Sequence, residues 1–458
     1  YYNAGAYQTL SSAVLWRGLV HAAGPYRIPH VKVDAYSVAT NTVPCGAFRG
    51  FGSPQVIFAH ESQMDELARR LGMDPLELRR KNALRVGDET ATGQVLTESV
   101  GLPQAIERAA ELSRWKELKA QVEEFNRREP FRRRGIGIST VMYGVGMGAK
   151  APSLDKAGAY VKLEADGSVT VAVGNTEMGQ GAITVLAQIA ADALGARLSD
   201  VQVAPVDTSR VPDSGPTVAS RTTTVAGMAV LDAARKLRAR VEEAAKHMLG
   251  ASQVTIEGSR CYDPTQPSCS ASLSEVAHWM WAHNWDMGAM GWAEGAPVDW
   301  DPKTGQGKVY FVYSYACHIA EVEVDLLTGE TQVRRFWAVH DSGKIVNPQL
   351  ARGQVAGGIA QGIGYALMEE LKSEGGSFVA PSFTAYHIPT AMDVPDQYVI
   401  DFVEAPYSGG PFGAKGLGEV PLMASHAAVA NAISHAVGAR LREYPAIPER
   451  VLALALGK

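Results

Sequence analysis

Residues 158–194 read GAYVKLEADGSVTVAVGNTEMGQGAITVLAQIAADAL. Apolar side chains return at alternate positions on both sides of Asp166-Gly167, which predicts two strands joined by a turn over Gly158–Val173. Beyond the glycine-rich Gly174–Gly181 the apolar period lengthens to that of a helix, Ala182–Leu194. The same order occurs elsewhere. Val31–Asn41 reads as a strand, Gly46–Gly52 as a turn and Ser53–Leu71 as a helix, while Val201–Val206 leads through Thr217–Thr224 into a helix at Val225–Leu249. The fold class is therefore α/β, or α+β with mixed sheets. Evenly spaced βαβ units of a doubly wound nucleotide domain are not visible.

Working outward, short and long helices are expected at Pro75–Arg80 and Leu102–Asn126. The basic run Arg127–Arg134 marks a boundary loop, followed by a strand at Gly135–Val145. Gly258–Ser272 and the Trp-rich Trp279–Trp300 read as an irregular insertion. A strand pair is expected at Lys308–Leu326 and Thr331–Asp341, with helices at Gln354–Leu371 and Pro421–Val437, the last stopped by Gly438. Tyr1–Val14 reads as the middle of a domain, so part of the fold is expected from elsewhere.

The chain has 458 residues, 46% of them hydrophobic, enough for two or three domains. Its net charge of −5 comes from intermixed acids and bases, with no basic block to neutralise a phosphate backbone, so nucleic acid is not an expected partner. No apolar run suits a membrane span and the first residues do not resemble a signal peptide, so a cytoplasmic location is expected. Cys45, Cys261, Cys269 and Cys317 form no CxxC pair; reduced thiols are expected, and no zinc or iron–sulfur cluster held by this chain.

Four glycine-rich segments carry candidate chemistry. Gly410–Leu422 places Glu419 within a glycine tract, where a lone carboxylate can project into a cavity as a catalytic base; the competing reading is a cap on the following helix. Gly174–Gly181 opens a helix whose free N–H groups suit an anion or a pterin, with Gln180 best placed to touch it, although an ordinary strand-to-helix turn reads the same way. Thr217–Thr224 gathers hydroxyls and Arg221 before a helix, more donors than one N-cap uses. In Cys45–Gly52, Arg49 and Phe51 can face one cavity, the former for an anionic or oxo group and the latter for a flat substrate.

With AFRGFG at 47–52, TEMGQG at 176–181, TVASRTT at 217–223 and GAKGLGE at 413–419, the chain resembles the molybdopterin-binding subunit of the xanthine dehydrogenase and aldehyde oxidase family of molybdenum hydroxylases. The resemblance implies two elongated domains, residues 1–128 and 129–458, with the cofactor between them. It implies that Met178, Gly179, Gln180, Ala219, Ser220, Arg221, Thr222 and Gln361 line the pterin and its phosphates, with Phe48, Arg49, Lys415 and Gly416 beside them. Glu419 matches the family's base, taking the proton of a water-derived oxygen that adds to an electron-poor carbon.

Arg17 falls where purine-oxidising members carry an Arg, which favours a purine or other N-heteroaromatic substrate, with Phe51 and Met147 packing on it; Tyr143 is the alternative to Met147. Molybdenum would be held through the pterin dithiolene and by no side chain directly. The cofactor implied is molybdopterin in its cytosine dinucleotide form, with [2Fe–2S] and FAD on partner subunits and a separate chain supplying the start of the molybdenum domain. Two alternatives remain at this point: an aldehyde or aromatic acyl-CoA oxidoreductase of the same family, and a non-catalytic assembly or cofactor-carrier subunit.

Overall fold

The computed structural model describes residues 1–457. Two four-stranded mixed sheets organise it. The first has the order Gly288–Glu294, Lys156–Leu163, Val169–Val173, Val201–Val203, with only the last pair parallel. The second runs Gln397–Phe402, Thr331–Asp341, Tyr313–Asp325, Arg132–Gly144, its first pair parallel and the others antiparallel.

The first sheet is covered by helices Ala182–Leu194 and Gly227–Leu249, through Leu186, Ile189, Leu237 and Val241, and helix Leu273–Ala282 packs on Gly227–Leu249. The second is covered on both faces because its strands alternate: Tyr315, Cys317 and Ile319 pack with Leu102, Ile106, Leu118 and Val122, while Ala320, Val322 and Val324 pack with Val355, Ile359, Val429 and Ile433. Helix Val420–Val437 is buried at nearly every position, and its Ala and Ser residues let it lie close to the sheet. Gly137 is needed there, since a Cβ would stand 2.2 Å from the Ala428 carbonyl oxygen.

Several expectations change. The helix Leu102–Asn126 is two helices, Leu102–Ser113 and Trp115–Arg128, broken at Arg114, whose φ is +49°. The indole of Trp115 is tied to Asp74 at 3.0 Å, which anchors the start of the second helix. Gly258–Ser272 is not irregular, since Thr255–Glu257, Arg260–Asp263 and Gln266–Ser272 form an antiparallel sheet. Trp279–Trp300 is no insertion either, because Gly288–Glu294 is the edge strand of the first sheet. Of the strand expected at Val31–Asn41 only Ser37–Ala39 pairs, in parallel with Tyr2–Gly5; Val31 and Val33 stay exposed. All four cysteines are free thiols. Among the described residues no helix is long and apolar enough to cross a membrane.

Candidate active site

Glu419 is the N-cap residue of helix Val420–Val437, yet its side chain caps nothing. Its carboxylate turns back into the protein. Oε1 accepts from the Gly50 N–H at 3.1 Å, and Oε2 accepts from the Tyr143 hydroxyl and from Ser220 Oγ at 3.3 Å. Ser220 Oγ in turn accepts from the Glu419 N–H at 3.0 Å. Three segments far apart in sequence thus converge on one half-buried carboxylate.

Backbone geometry aims these donors. Gly50, Phe51 and Gly52 follow one another at φ of +96°, +53° and +94°, a turn that directs the Gly50 N–H inward. Ala219 and Ser220 both hold φ at +54°, a left-handed conformation that costs about 1–2 kcal/mol per non-glycine residue. The two loops are pressed together, for a Cβ on Gly416 would lie 1.9 Å from the Ser220 carbonyl oxygen.

Arg49 lies beside Glu419. Its Nε donates to the Gly418 carbonyl at 2.7 Å, and its other nitrogens reach Gln361 Oε1 at 3.1 Å and Gln354 Oε1 at 3.4 Å. Burial lowers the Arg49 pKa and the nearby Glu419 opposes it. Sequence reasoning missed Gln354, although it stands seven residues before Gln361 on the same helix face, a readable signal. Phe48 is exposed and packs on Tyr365, ring centres 5.6 Å apart.

Other expected site residues have different surroundings. The helix N-terminus after Gly174–Gly181 is already occupied: the Glu177 carboxylate accepts from the N–H groups of Gly179, Gly181 and Ile183 at 2.8–3.1 Å. Although burial opposes this, those hydrogen bonds lower the Glu177 pKa. The expected anion site is therefore filled by the chain's own carboxylate. Gln180 braces the same loop, accepting from Met178 N and donating to Thr176 O, and Thr176 N donates to Thr217 Oγ1 at 2.9 Å, joining this loop to Thr217–Thr224. Met178 stays exposed, and Thr222 opens the turn leading into helix Gly227–Leu249.

Three cations expected at ligands are enclosed. Arg221, fully buried, donates to the carbonyls of Ser214, Pro216 and Lys156 and pairs with Asp155 at 3.3 Å. Lys415 is 2% exposed, with Nζ on Asp341 at 2.6 Å and on the Ser99 carbonyl at 3.1 Å. Arg17, also 2% exposed, donates to the Gly144 and Gly146 carbonyls and is boxed by the rings of Tyr143, Tyr310 and Phe51. Arg17 turns to two buried backbone carbonyls and Arg221 to three, surroundings that sequence spacing could not reveal. Met147 is half-buried, its backbone N–H held by Asp155.

Residues 1–83 and 108–395 match two families, each described as molybdopterin cofactor-binding domain. The chain belongs to the molybdopterin cofactor-binding family of xanthine dehydrogenases and aldehyde oxidoreductases. It is 34% identical to a protein of Bacillus subtilis described as a probable subunit of xanthine dehydrogenase, over 98% of this chain and 58% of that protein. To an aldehyde oxidoreductase of Megalodesulfovibrio gigas it is 35% identical, over 98% of this chain and 46% of the other. The fold is similar to quinoline 2-oxidoreductase from Pseudomonas putida, with a TM-score of 0.87, 30% identity, and coverage of 100% of this chain and 59% of that one. The chain thus spans about half the length of the curated relatives it matches.

Proposed function

We propose that the chain is the catalytic, molybdopterin-binding part of a molybdenum hydroxylase that adds a water-derived oxygen to an electron-poor carbon of a purine or other N-heteroaromatic substrate. The observation that carries this reading is Glu419: not used as a cap, half-buried, and held by Gly50, Tyr143 and Ser220 beside Arg49. A carboxylate so oriented is built to accept a proton from a group brought next to it.

The residues present fit a pterin better than a directly ligated metal. Among the described residues no group of three His, Cys, Asp or Glu side chains gathers to ligate an ion. Asn175, 1% exposed, has neither side-chain polar atom partnered, and the buried Thr224 hydroxyl is also free. A Cβ added at Gly179 would meet nothing within 4 Å. Gln361 and Gln354 offer neutral amides next to Arg49, the donor type that a heterocycle edge accepts.

Arg49, Gln361, Met178, Gly179, Gln180, Phe48, Ala219, Ser220, Thr222 and Gly416 are proposed to line the cofactor, and Arg221 and Lys415 to hold the loops behind it. When bound, molybdopterin, here proposed as the cytosine dinucleotide form, supplies the metal that activates water and takes up the substrate's electrons. With that group bound, Arg49 would orient the oxygen to be transferred, Glu419 would take its proton at the carboxylate, and Phe51 and Met147 would flank the substrate.

The domain division at 1–128 and 129–458 is part of this proposal, with the helical pair at residues 102–128 as the piece of the first domain resting on the second's sheet. Electrons are proposed to pass to [2Fe–2S] and FAD subunits in a cytoplasmic complex.

A second reading, an aldehyde substrate, is favoured by the enclosure of Arg17, which removes the cation expected to face a purine. Assay of the natively assembled protein with xanthine, quinoline and benzaldehyde separates the two. Under either, Glu419→Gln should lose at least about a hundredfold in turnover with molybdenum content unchanged; wild-type turnover in that variant would refute the assignment.

A further inference from the structure

Tyr143 lies at the end of strand Arg132–Gly144 and is wholly buried. Its hydroxyl donates to Glu419 Oε2, and its ring is fixed by two neighbours. The Arg17 guanidinium lies 4.8 Å from the ring centre. His21 stacks on it at 5.6 Å and 27°.

Both neighbours are themselves pinned to the end of the same strand. Arg17 donates to the Gly144 carbonyl at 3.0 Å and the Gly146 carbonyl at 2.5 Å. His21 accepts the Gly144 N–H at Nε2, 3.0 Å away, so Nδ1 carries its proton and donates to the Arg17 carbonyl at 2.7 Å. Burial holds this imidazole down at about 3, with Arg17 adding to the effect, and it stays neutral.

The three donors to Glu419 differ in rigidity. Gly50 and Ser220 belong to loops of left-handed backbone, whereas Tyr143 is part of a central sheet and is packed on both sides. A group is oriented best by a partner that cannot itself move. We propose that Tyr143 is a positioning residue for Glu419, with Arg17 as the support behind its ring, fixing the carboxylate to the central sheet.

Arg17 is accordingly a support and not a substrate contact. No proton leaves Tyr143: burial raises its hydroxyl well above 10, Glu419 adds to the rise and Arg17 opposes it, so the phenol remains a donor. Burial works against the Arg17 charge, but Tyr143, Tyr310, Glu419 and Asp155 outweigh it. The proposal rests on the reading of Glu419 as the base.

The test compares Tyr143→Phe, which keeps the ring and removes the hydroxyl, with Glu419→Gln in the natively assembled holoenzyme. The infrared carboxylate band lost in Glu419→Gln identifies Glu419 without any substrate. In Tyr143→Phe that band should shift. With whichever of xanthine, quinoline and benzaldehyde the enzyme oxidises, kcat should fall about ten- to a hundredfold while KM changes less than about threefold, the loss expected of one charge-assisted hydrogen bond. An unmoved band and unchanged kcat at full molybdenum content would overturn the proposal. A shifted band together with a fully active Glu419→Gln would show instead that the contact exists but Glu419 is not the base.

Discussion

Lys415 sits in the glycine tract next to Glu419, where a cation invites assignment to a bound phosphate. The fold spends it elsewhere. Its ammonium meets Asp341, a carboxylate that also accepts from the Gly101 and Gly343 N–H groups, and both side chains are fully buried. Burial lowers the Lys415 pKa and Asp341 opposes that. Lys415→Met should therefore leave a buried carboxylate uncompensated and cost about 3–5 kcal/mol in urea unfolding; a variant of unchanged stability that had lost cofactor would contradict this assignment. Arg17 and Arg221 follow the same pattern. Arg221 was legible from its hydroxyl-rich segment and Arg17 from the family resemblance, but not that their nearest acceptors are buried carbonyls. That the Glu419 carboxylate could project inward instead of capping the helix was readable from the glycines around it, whereas its contact with Tyr143 spans 276 positions and leaves no local pattern.

Elements were legible where the apolar period was long and uniform. Helix Ala182–Leu194 and helix Ser53–Leu71 have the bounds the pattern predicts, each ending at a left-handed glycine, Gly195 and Gly72. The pattern failed where tertiary contacts override it: nothing local announces the break at Arg114, and the Trp-rich stretch hides an edge strand that needs Lys156–Leu163 as its partner. Helix Val420–Val437 shows how an element sets the site. Glu419 takes its position from this helix, which lies against glycines of strand Arg132–Gly144. Gly137→Ala would drive a Cβ to 2.2 Å from both the Ala428 oxygen and the Ala432 nitrogen, backbone atoms with no rotamer to yield. We expect a loss of about 1–3 kcal/mol in thermal unfolding, with lower turnover per molybdenum as Glu419 shifts. Unaltered turnover in a destabilised variant would mean that the helix does not set Glu419 for the proposed role.

At the scale of the whole molecule, buried neutral histidines give a pH dependence with a definite sign. Burial, the leading cause in each case, holds His21, His340 and His426 at about 3, and His318 well below its ordinary value. An unfolded chain protonates these groups below pH about 6.5, while the folded chain resists until far lower. Stability from this source is intact above about 6.5 and is lost as pH falls from there towards about 3, by up to about 1.4 kcal/mol per histidine per pH unit. Thermal unfolding at pH 5.5 should thus lie clearly below that at pH 7.5; a flat profile would contradict the burial. The whole molecule also gathers the loops bearing Gly50, Ser220 and Gly418 around one carboxylate, with the loop of Gln180 tied to them through Thr217, an arrangement we read as a molybdopterin site. Metal analysis of the natively purified assembly, with every co-purifying chain retained, tests that reading most directly. Close to one molybdenum per chain is the predicted result, and a folded, fully assembled protein without molybdenum would contradict it.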